Sequence, residues 1–362
     1  MNEYSACSNK RFLFITDHLG GGGAPISILD LARALIGQGC KVTIVVLSDD
    51  IMRHDTEAMT VHAIPFRYRN FWQKLHRYRL HAKKLDQWVD KDPQHYDLVI
   101  ANLHYSHQVV NRSSLAEQAW LCIRTDPVAA FFGHKRPSHR KLRKLSRLYH
   151  GRRVIAISQG ILDSLKQYKV APREARLIYN VIDAISIQQL MLQQVEFEKY
   201  IVYVGRLDRR QKRYDVLLKA YRVSGVVHPL VIVGDGEQEQ AKALAHTLGL
   251  ADKVKFIGKQ VNPYPYIHHA DLLLLSSDYE GFGRVIAEAL VCGTPVVSTD
   301  CPSGPREILK AGLQTCLVPM GDPCLFGRRI TDILREPPVI TSEHYQAFLP
   351  AVVASQYIEL TK

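Results

Sequence analysis

The C-terminal half of the chain reads Ser276-Ser-Asp-Tyr-Glu280-Gly-Phe-Gly283-Arg-Val-Ile-Ala-Glu288, which places two carboxylates eight positions apart around a Gly-x-Gly loop. The apolar run at 272–275, just before this segment, predicts a buried strand. After it, Gly293-Thr-Pro predicts the end of a helix, and residues 295–298 predict another short strand. The order of strand, acidic glycine loop, helix and strand is typical of a parallel α/β sheet.

The chemistry of this segment favours a ligand that has both phosphate and hydroxyl groups. A helix that begins near Arg284 points free backbone N–H groups and the positive end of its dipole at the loop, which suits an anion. Carboxylates do not attract a phosphate by charge. Glu280 at the mouth of the loop and Glu288 on the second helical turn therefore indicate hydroxyl groups, such as those of a ribose and a hexose. The alternative is a surface helix with ordinary acids.

Short apolar runs recur along the chain and predict two domains. A chain of 362 residues, 46% of them hydrophobic, can form two cores. Strands at 11–16 and 41–47 around a helix at 26–36 predict a first βαβ unit. Further strands are predicted at 97–101, 120–123, 154–157 and 176–179, and then at 200–204, 230–233, 254–257, 272–275 and 295–298. The predicted fold class is α/β, with two Rossmann-like domains facing each other across a cleft.

The domain boundaries are predicted from composition. Residues 183–199 are polar and rich in glutamine, and we interpret them as the interdomain linker. An N-terminal domain is therefore expected at 1–185 and a C-terminal domain at 186–342. Residues 343–362 predict a helix that returns to the N-terminal domain.

Two basic segments account for the net charge of +12. Residues 67–84 contain seven Lys or Arg, residues 134–153 contain nine, and neither segment contains an acid. Phe71 and Trp72 alternate with the bases of the first segment, as in an interfacial helix. Such segments suit an anionic surface, so an anionic membrane is an expected partner, with a solvated basic face as the alternative. Nucleic acid is disfavoured because no nucleic-acid-binding motif accompanies the bases.

The location of the protein is predicted from what the sequence lacks. No apolar run reaches the ~20 residues needed to span a bilayer, and the N-terminus does not have the layout of a secretory signal. The seven cysteines are scattered, without a Cys-x-x-Cys, which argues against a disulfide framework or zinc site and for a reducing compartment. We expect a cytoplasmic protein that lies peripherally on the inner face of the plasma membrane.

The loops after other predicted strands add cations and glycines. After the strand at 200–204 the chain reads Gly205-Arg206-Leu-Asp-Arg-Arg-Gln-Lys212, and its Arg206 and Lys212 can clamp a diphosphate at the strand end. The next strand ends in Gly234-Asp235-Gly236, where glycine lets the backbone approach a ligand closely. Phosphate-binding cations beside hydroxyl-binding acids describe a site for a nucleoside diphosphate sugar.

The glycine run at 20–23 allows a different interpretation. It follows the first predicted strand, and Asp49 and Asp50 follow the second, as in a dinucleotide site. A Gly-x-Gly-x-x-Gly match fails because Pro25 or Ile26 occupies the third glycine position. The phosphate-binding cations of the other domain make a nicotinamide site the less favoured interpretation.

Taken together, these motifs resemble those of the retaining nucleotide-sugar glycosyltransferases with the GT-B fold (glycosyltransferase family 4), of the bacterial surface-polysaccharide type. The family's Glu-x7-Glu motif matches Glu280 and Glu288, and its Gly-Arg…Lys-Gly segment matches the loop from 205 to 212. The Gly-x-Pro-Val-Val sequence at 293–297 and the segment at 300–307 also fit. The chain departs from the family pattern at Arg213, where glycine is usual, and at Pro25, where many relatives have glutamate.

The resemblance implies a role for each matched residue. Arg206 and Lys212 bind the diphosphate, Glu288 binds the ribose, and Glu280 contacts the transferred sugar. The other donor-binding positions are Gly22, Gly23, Gly205, Asp235, Gly281, Phe282 and Gly283. The acceptor side departs from the family pattern: relatives often have a histidine after the fourth or fifth strand, where this chain reads Cys122-Ile-Arg124-Thr-Asp126. The acceptor-side candidates, taken from their positions after the predicted strands, are Asn102, His104, Arg124 and Asp126, with a structural role as the alternative for His104.

The resemblance also implies a reaction. A hexose or N-acetylhexosamine moves from a UDP-sugar to a glycolipid or lipid-linked saccharide in bacterial lipopolysaccharide, O-antigen or capsule synthesis. The transfer retains configuration and uses neither a metal nor a cofactor. The acceptor hydroxyl attacks from the leaving-group face and a phosphate oxygen of the donor takes its proton, so no dedicated general base is required. A GDP-sugar donor and a non-catalytic, basic membrane-binding module are the alternatives.

Overall fold

The chain folds into two compact units. A computed structural model describes residues 9–50, 59–132 and 138–362. Unit 1 consists of Met1–Val181 together with Pro350–Lys362, and unit 2 of Ile182–Leu349. Each unit contains one parallel sheet with helices, so the predicted fold class of two Rossmann-like sheets is confirmed.

Unit 1 has a seven-stranded parallel sheet in the order β3-β2-β1-β4-β5-β6-β7. Its strands are β1 (Arg11–Thr16), β2 (Lys41–Val46), β3 (Thr60–Ala63), β4 (Leu98–Asn102), β5 (Trp120–Ile123), β6 (Arg153–Ala156) and β7 (Glu174–Leu177). Its helices before the second unit are α1 (Gly23–Gly37), α2 (Phe71–Leu75), α3 (Arg77–Val89), α4 (His104–Val110), α5 (Pro127–Phe132), α6 (His139–Tyr149) and α7 (Gln159–Gln167). The central strands are apolar on both faces, as expected where helices cover both sides of a sheet.

Unit 2 has a six-stranded parallel sheet in the order β10-β9-β8-β11-β12-β13. Its strands are β8 (Ile201–Val204), β9 (Leu230–Val233), β10 (Val254–Gly258), β11 (Leu272–Leu275), β12 (Val296–Thr299) and β13 (Leu317–Val318). Its helices are α8 (Ala184–Leu190), α9 (Tyr214–Ser224), α10 (Gln238–Thr247), α11 (Tyr264–His268), α12 (Arg284–Cys292), α13 (Pro305–Ile308) and α14 (Pro323–Arg335). All four residues of β11 are fully buried, which matches their uninterrupted run of leucine.

The segment interpreted as a linker, residues 183–199, contains a helix instead. Asp183 caps α8 by accepting a hydrogen bond from the backbone N–H of Ser186 at 3.1 Å. Ile187 of α8 is buried, and α8 packs against α11 and α12. The polar composition of the segment concealed this helix, since only two of the seven residues of α8, Ala184 and Ile187, are buried.

The last helix, α15 (Pro350–Glu359), belongs to unit 1, where it packs against α1. It begins later than the predicted helix at 343–362, because Ser342–His344 and Gln346–Phe348 form two short 3-10 helices and the backbone of Leu349 is extended. The residues up to Leu349 belong to unit 2. Phe348 is fully buried there and its carbonyl accepts a hydrogen bond from the N–H of Ile182 at 2.8 Å. Among the described residues, no helix combines the length and the apolar character needed to cross a bilayer.

Candidate functional site

The carboxyl ends of four strands of unit 2 carry the predicted donor loops. Since the strands are parallel, these ends lie at one edge of the sheet. Residues 205–213 follow β8, residues 234–237 follow β9, residues 276–283 follow β11, and residues 300–304 follow β12. Motifs that are far apart in the sequence are thereby assembled at a single edge.

Lys212 and Glu280 form an ion pair at this edge. The Nζ atom of Lys212 lies 2.7 Å from Oε1 of Glu280, and the two side chains are 18% and 8% exposed. The fully buried hydroxyl of Ser277 donates a second hydrogen bond to the same carboxylate oxygen at 2.6 Å. The structure therefore brings together the cation predicted to bind phosphate and the carboxylate predicted to contact the sugar. Neither charge is in bulk water, so each is stabilised by the opposite charge of the other.

Hydrogen bonds to backbone carbonyls hold the loops of these two residues together. The N–H of Asp278 donates to the carbonyl of Gln211 at 2.8 Å, and the side-chain amide of Gln211 donates to the carbonyl of Tyr279 at 3.2 Å. The hydroxyl of Ser276 donates to the carbonyl of Lys212 at 2.8 Å. The separation of Lys212 from Glu280 is thus fixed by the main chain as well as by charge.

A second set of ion pairs lies beside the first. Arg213 donates through Nε and Nη2 to the two carboxylate oxygens of Asp215, at 2.9 and 3.1 Å, and through Nη1 to Asp278 at 2.8 Å. Burial acts to raise the pKa of Asp215, but the hydrogen bonds and the charge of Arg213 outweigh it and lower that pKa overall. The sequence interpretation noted Arg213 only as a departure from the family pattern and missed both carboxylates. The available signal was an arginine at a glycine position with an acid two residues later.

Arg206, the other predicted phosphate-binding cation, is much more exposed than Lys212. Its side chain is 61% exposed, and its Nη2 atom lies 2.9 Å from Oδ2 of Asp208 on the same loop. The other oxygen of Asp208 accepts the backbone N–H groups of Arg210 and Gln211, at 2.8 and 3.2 Å. Asp208 therefore shapes the loop that carries both cations.

The loop after β9 lies directly against the loop after β8. A Cβ atom at Gly234 would overlap the carbonyl oxygen of Gly205, so only glycine fits there. Asp235 is exposed, and its carbonyl accepts the N–H of Leu207 at 2.6 Å. The contact of Asp235 with the β8 loop is made through its backbone, which leaves its side chain at the surface.

Helix α12 begins at Arg284, as the sequence predicted, and follows the Gly-x-Gly loop. Its N-cap, Gly283, has a φ of 85°, and no side chain of the described residues caps the first turn. Glu288 is buried on the second turn, where its Oε1 accepts a hydrogen bond from Nε of Arg284 at 2.6 Å. The ring of Phe282 packs edge-on against Phe348 with centroids 5.0 Å apart, so only the backbone of this donor-binding position is available to a ligand.

The acceptor-side candidates lie in unit 1 and bond mainly to one another and to the backbone. Arg124 donates through Nε to Asn102 and through Nη1 to Asn180, both at 2.9 Å. It therefore ties the end of β4 to the segment that follows β7. Asp126 is buried and accepts the N–H groups of Val128 and Ala129, which caps α5. Arg124 and Asp126 therefore have structural roles, whether or not they also contact an acceptor.

The remaining predicted positions of unit 1 lie at helix starts. Gly22 and Gly23 are exposed at the beginning of α1. His104 begins α4, and burial lowers its pKa. Asp17, which the sequence interpretation missed although it directly follows β1, accepts the N–H groups of Tyr105 and Ser106. Burial raises the pKa of Asp17 to about 6, against the effect of these two hydrogen bonds.

A metal-binding arrangement is absent from the described ranges: no group of three or more His, Cys, Asp or Glu is placed to hold an ion. An Asp-x-Asp pattern, which can bind a divalent cation, occurs once in the sequence, as Asp90-Lys91-Asp92 at the end of α3 in unit 1. Asp92 there accepts hydrogen bonds from the hydroxyl of Tyr96 and the N–H of Gln94. Metal independence remains a prediction.

His107 should make the unfolding free energy of unit 1 depend on pH. Burial lowers its pKa to about 3, and the neutral ring bonds to the carbonyl of Ala101 at 3.0 Å and to the hydroxyl of Tyr149 at 3.1 Å. The unfolded histidine has a pKa of ~6.5, so the unfolded state takes up a proton before the native state does as the pH falls. The stability that neutral His107 contributes above pH ~6.5 is therefore lost as the pH falls towards 3. We expect His107 to account for a loss of about 2 kcal/mol of unfolding free energy between pH 7 and pH 5.

Chemical denaturation of the wild type and His107→Gln at the two pH values measures this loss. Asp17 changes in the opposite sense, because its raised pKa favours the native state as the pH falls from about 6 towards 3.8. The difference between the two proteins therefore isolates His107. His76→Gln, which replaces an exposed histidine of unit 1, is the control and should keep the wild-type slope. An equal pH dependence in all three proteins would contradict the prediction.

Two protein-family models match the chain. The model of Glycosyltransferase Family 4 matches residues 21–185, and the model of Glycosyl transferases group 1 matches residues 191–348. The first match falls almost entirely in unit 1 and the second in unit 2. Between them they include every residue predicted to belong to the site.

Individual proteins show the same likeness. N-acetylgalactosamine-N,N'-diacetylbacillosaminyl-diphospho-undecaprenol 4-alpha-N-acetylgalactosaminyltransferase of Campylobacter jejuni is 35% identical over 158 residues, 43% of this chain and 43% of that protein. This match thus spans less than half of the relative's length. Phosphatidyl-myo-inositol mannosyltransferase of Mycobacterium leprae is 27% identical over 360 residues, 94% of this chain and 92% of that protein. The crystal structure of Anabaena Alr3699/HepE in complex with UDP and glucose has the same fold, with a TM-score of 0.76 and 22% identity over 97% of this chain and 98% of that chain.

Proposed function

The chain belongs to the glycosyltransferases of the GT-B fold, and we propose that it transfers a hexose or N-acetylhexosamine from a UDP-sugar to a glycolipid or lipid-linked saccharide. The proposed pathway is the synthesis of bacterial lipopolysaccharide, O-antigen or capsule. The observation that carries the proposal is the buried pair of Lys212 and Glu280 at the carboxyl edge of the unit 2 sheet. It joins a phosphate-binding cation to a hydroxyl-binding carboxylate, the two functions that a sugar nucleotide requires.

The related proteins support this choice of donor and acceptor. The Anabaena protein was crystallised with UDP and glucose. The name of the Campylobacter relative describes a saccharide on diphospho-undecaprenol, and that of the Mycobacterium relative describes phosphatidyl-myo-inositol. We carry a UDP-sugar donor and a lipid-linked acceptor over to this chain on that basis.

In the proposed mechanism, unit 2 stabilises the departing diphosphate. Lys212 and Arg206 offset the negative charge that develops on it, and the positive end of the α12 dipole adds to this effect. Glu280 accepts hydroxyl hydrogen bonds from the sugar, and Glu288 does so from the ribose. The acceptor hydroxyl attacks from the leaving-group face and transfers its proton to a donor phosphate oxygen, which gives retention without a general base or a metal ion.

Calorimetric titration with UDP, GDP and NADH tests the donor assignment. We expect micromolar binding of UDP and no response to NADH. Binding of GDP in preference to UDP would instead favour a GDP-sugar donor, and tight binding of NADH alone would overturn the assignment. Hydrolysis of UDP-glucose, UDP-galactose and their N-acetylated forms identifies the sugar, and a chelator should leave the rate unchanged.

We further propose that unit 1 docks on an anionic membrane, where a lipid-linked acceptor would be collected. In α6 the buried residues Leu145 and Leu148 face the unit, and the basic residues Lys141, Arg143, Lys144 and Arg147 are exposed. In α2, Phe71 and Trp72 are 73% and 69% exposed. Residues 134–137 of the second basic segment lie outside the described residues. The proposed location is the inner face of the plasma membrane.

Co-sedimentation with vesicles tests the docking. Each cation near anionic lipid contributes about 1 kcal/mol, so replacing the four exposed bases of α6 by glutamine should reduce binding to anionic vesicles by roughly a hundredfold or more. The matched control replaces four exposed lysines of unit 2: Lys219, Lys253, Lys255 and Lys259. Trp72→Ala should mainly reduce the binding that persists at high salt. Equal binding to neutral and anionic vesicles, or equal losses in the two quadruple variants, would reject electrostatic docking by α6.

A further inference from the structure

Arg213 has a backbone conformation that is unusual for its residue type. Its φ of 52° and ψ of 49° are left-handed, and it is the N-cap of α9. Glycine adopts this conformation at little cost, whereas an arginine is strained there. The family's usual residue at this position is glycine, so the chain keeps a strained arginine where a relaxed residue would fit.

Three buried carboxylates bond to Arg213 and to its neighbour Lys212. The side chains of Asp215, Asp278 and Glu280 are 8%, 5% and 8% exposed. Arg213 forms a two-pronged bond to Asp215 and a single bond to Asp278, while Lys212 bonds to Glu280. The two cations are adjacent in the chain, and the two carboxylates on the facing loop are two residues apart. The two cations therefore hold different carboxylates: Arg213 holds Asp215 and Asp278, and Lys212 holds Glu280.

We propose that Arg213 is a positioning residue of the donor site, which holds Asp278 and thereby keeps Lys212 at Glu280, where the donor phosphates bind. The proposal rests on the proposed function of unit 2. Asp278 lies next to the loop of Lys212, because its N–H is bonded to the carbonyl of Gln211. Without Arg213, this buried carboxylate loses the arginine that holds it. We then expect Asp278 to compete with Glu280 for Lys212, which would make Lys212 a weaker phosphate ligand.

The test is a double-mutant cycle of Arg213→Gly and Asp278→Asn, read by UDP affinity and by kcat and KM for the UDP-sugar. Arg213→Gly relieves the backbone strain but leaves Asp278 without its arginine. It should raise the dissociation constant for UDP and the KM for the donor by roughly tenfold or more. Adding Asp278→Asn removes the competing charge and should restore most of the UDP affinity. Arg213→Asn, which tolerates the left-handed backbone, replaces Arg213→Gly if the glycine variant folds poorly.

Lys199→Gly is the matched control. Lys199 is an exposed residue of unit 2 with a φ of 47°, so the change relieves the same kind of strain without touching the site. It should leave UDP affinity and KM unchanged. If the wild type binds no UDP, the proposed function fails and this inference fails with it. If the wild type binds UDP and Arg213→Gly binds it equally well, or if Asp278→Asn brings no recovery, the positioning role alone is overturned.

Discussion

Lys212→Ala is expected to lower the unfolding free energy of unit 2 by roughly 3–5 kcal/mol and to weaken UDP binding about tenfold or more. The side chain of Glu280 is only 8% exposed, and the substitution removes the cation from its carboxylate while Ser277 remains a hydrogen-bond partner. It also removes a charged donor to the diphosphate. Chemical denaturation measures the first effect and calorimetric titration the second.

Two further variants separate these effects. Lys219→Ala, which replaces an exposed lysine of the adjacent helix α9, should change stability by no more than about 0.5 kcal/mol. In Lys212→Ala/Glu280→Ala neither charge is buried alone, so we expect much of the stability to return while UDP binding stays weak. If the double variant were as unstable as Lys212→Ala, the ion pair would not be the source of the lost stability.

Glu280→Ala alone distinguishes sugar binding from nucleotide binding. The side chain of Lys212 is 18% exposed, so its amine can turn to the phosphates or to water when its partner is removed. We therefore expect turnover to fall sharply while the affinity for free UDP stays close to that of the wild type. Loss of UDP binding in Glu280→Ala, with Glu288→Ala harmless, would mean that the roles of the two glutamates are assigned wrongly.

The sequence predicted the sheets well because buried parallel strands consist of uninterrupted apolar runs. All four residues of β9 and of β11 are buried, and both strands were located to the residue. Strand β3 was missed because it lies at the edge of its sheet, with three of its four residues exposed. Strand β13 was missed because it is only two residues long. Edge strands are defined by backbone pairing with a neighbour, which leaves little trace in hydrophobicity.

The site was predicted only in part, for a related reason. Glu280, Lys212 and the start of α12 could be placed because each follows a predicted strand or opens a predicted helix, and strand ends meet at one edge of a parallel sheet. The pairing of Arg213 with Asp278 depends on which side chains meet across two loops, and no local pattern encodes it. Asp126 was predicted as an acceptor residue from its position after β5, but a carboxylate in that position also suits the cap that it forms.

Gly304→Ala is expected to be as damaging as the loss of Lys212, by a steric route. Gly304 has a φ of 125°, and a Cβ atom there would overlap the carbonyl oxygen of Phe282 in the donor loop. The backbone of Phe282 cannot easily move away from this Cβ atom, because the ring of Phe282 is buried against Phe348. The loop from Gly281 to Gly283 and the start of α12 must therefore move. We expect a loss of roughly 3 kcal/mol or more in unfolding free energy and a large fall in donor turnover.

Gly312→Ala is the matched control, since it isolates backbone strain from the steric overlap. Gly312 also has a positive φ, 97°, but a Cβ atom there meets no atom of the described residues within 4 Å. Strain alone should cost about 1 kcal/mol and leave UDP binding and turnover unchanged. Denaturation, UDP titration and UDP-sugar hydrolysis are measured on both variants beside the wild type. Equal losses of stability and activity in the two variants would mean that backbone strain accounts for the effect, and the close packing of Gly304 against the donor loop would then have no special role in holding the site.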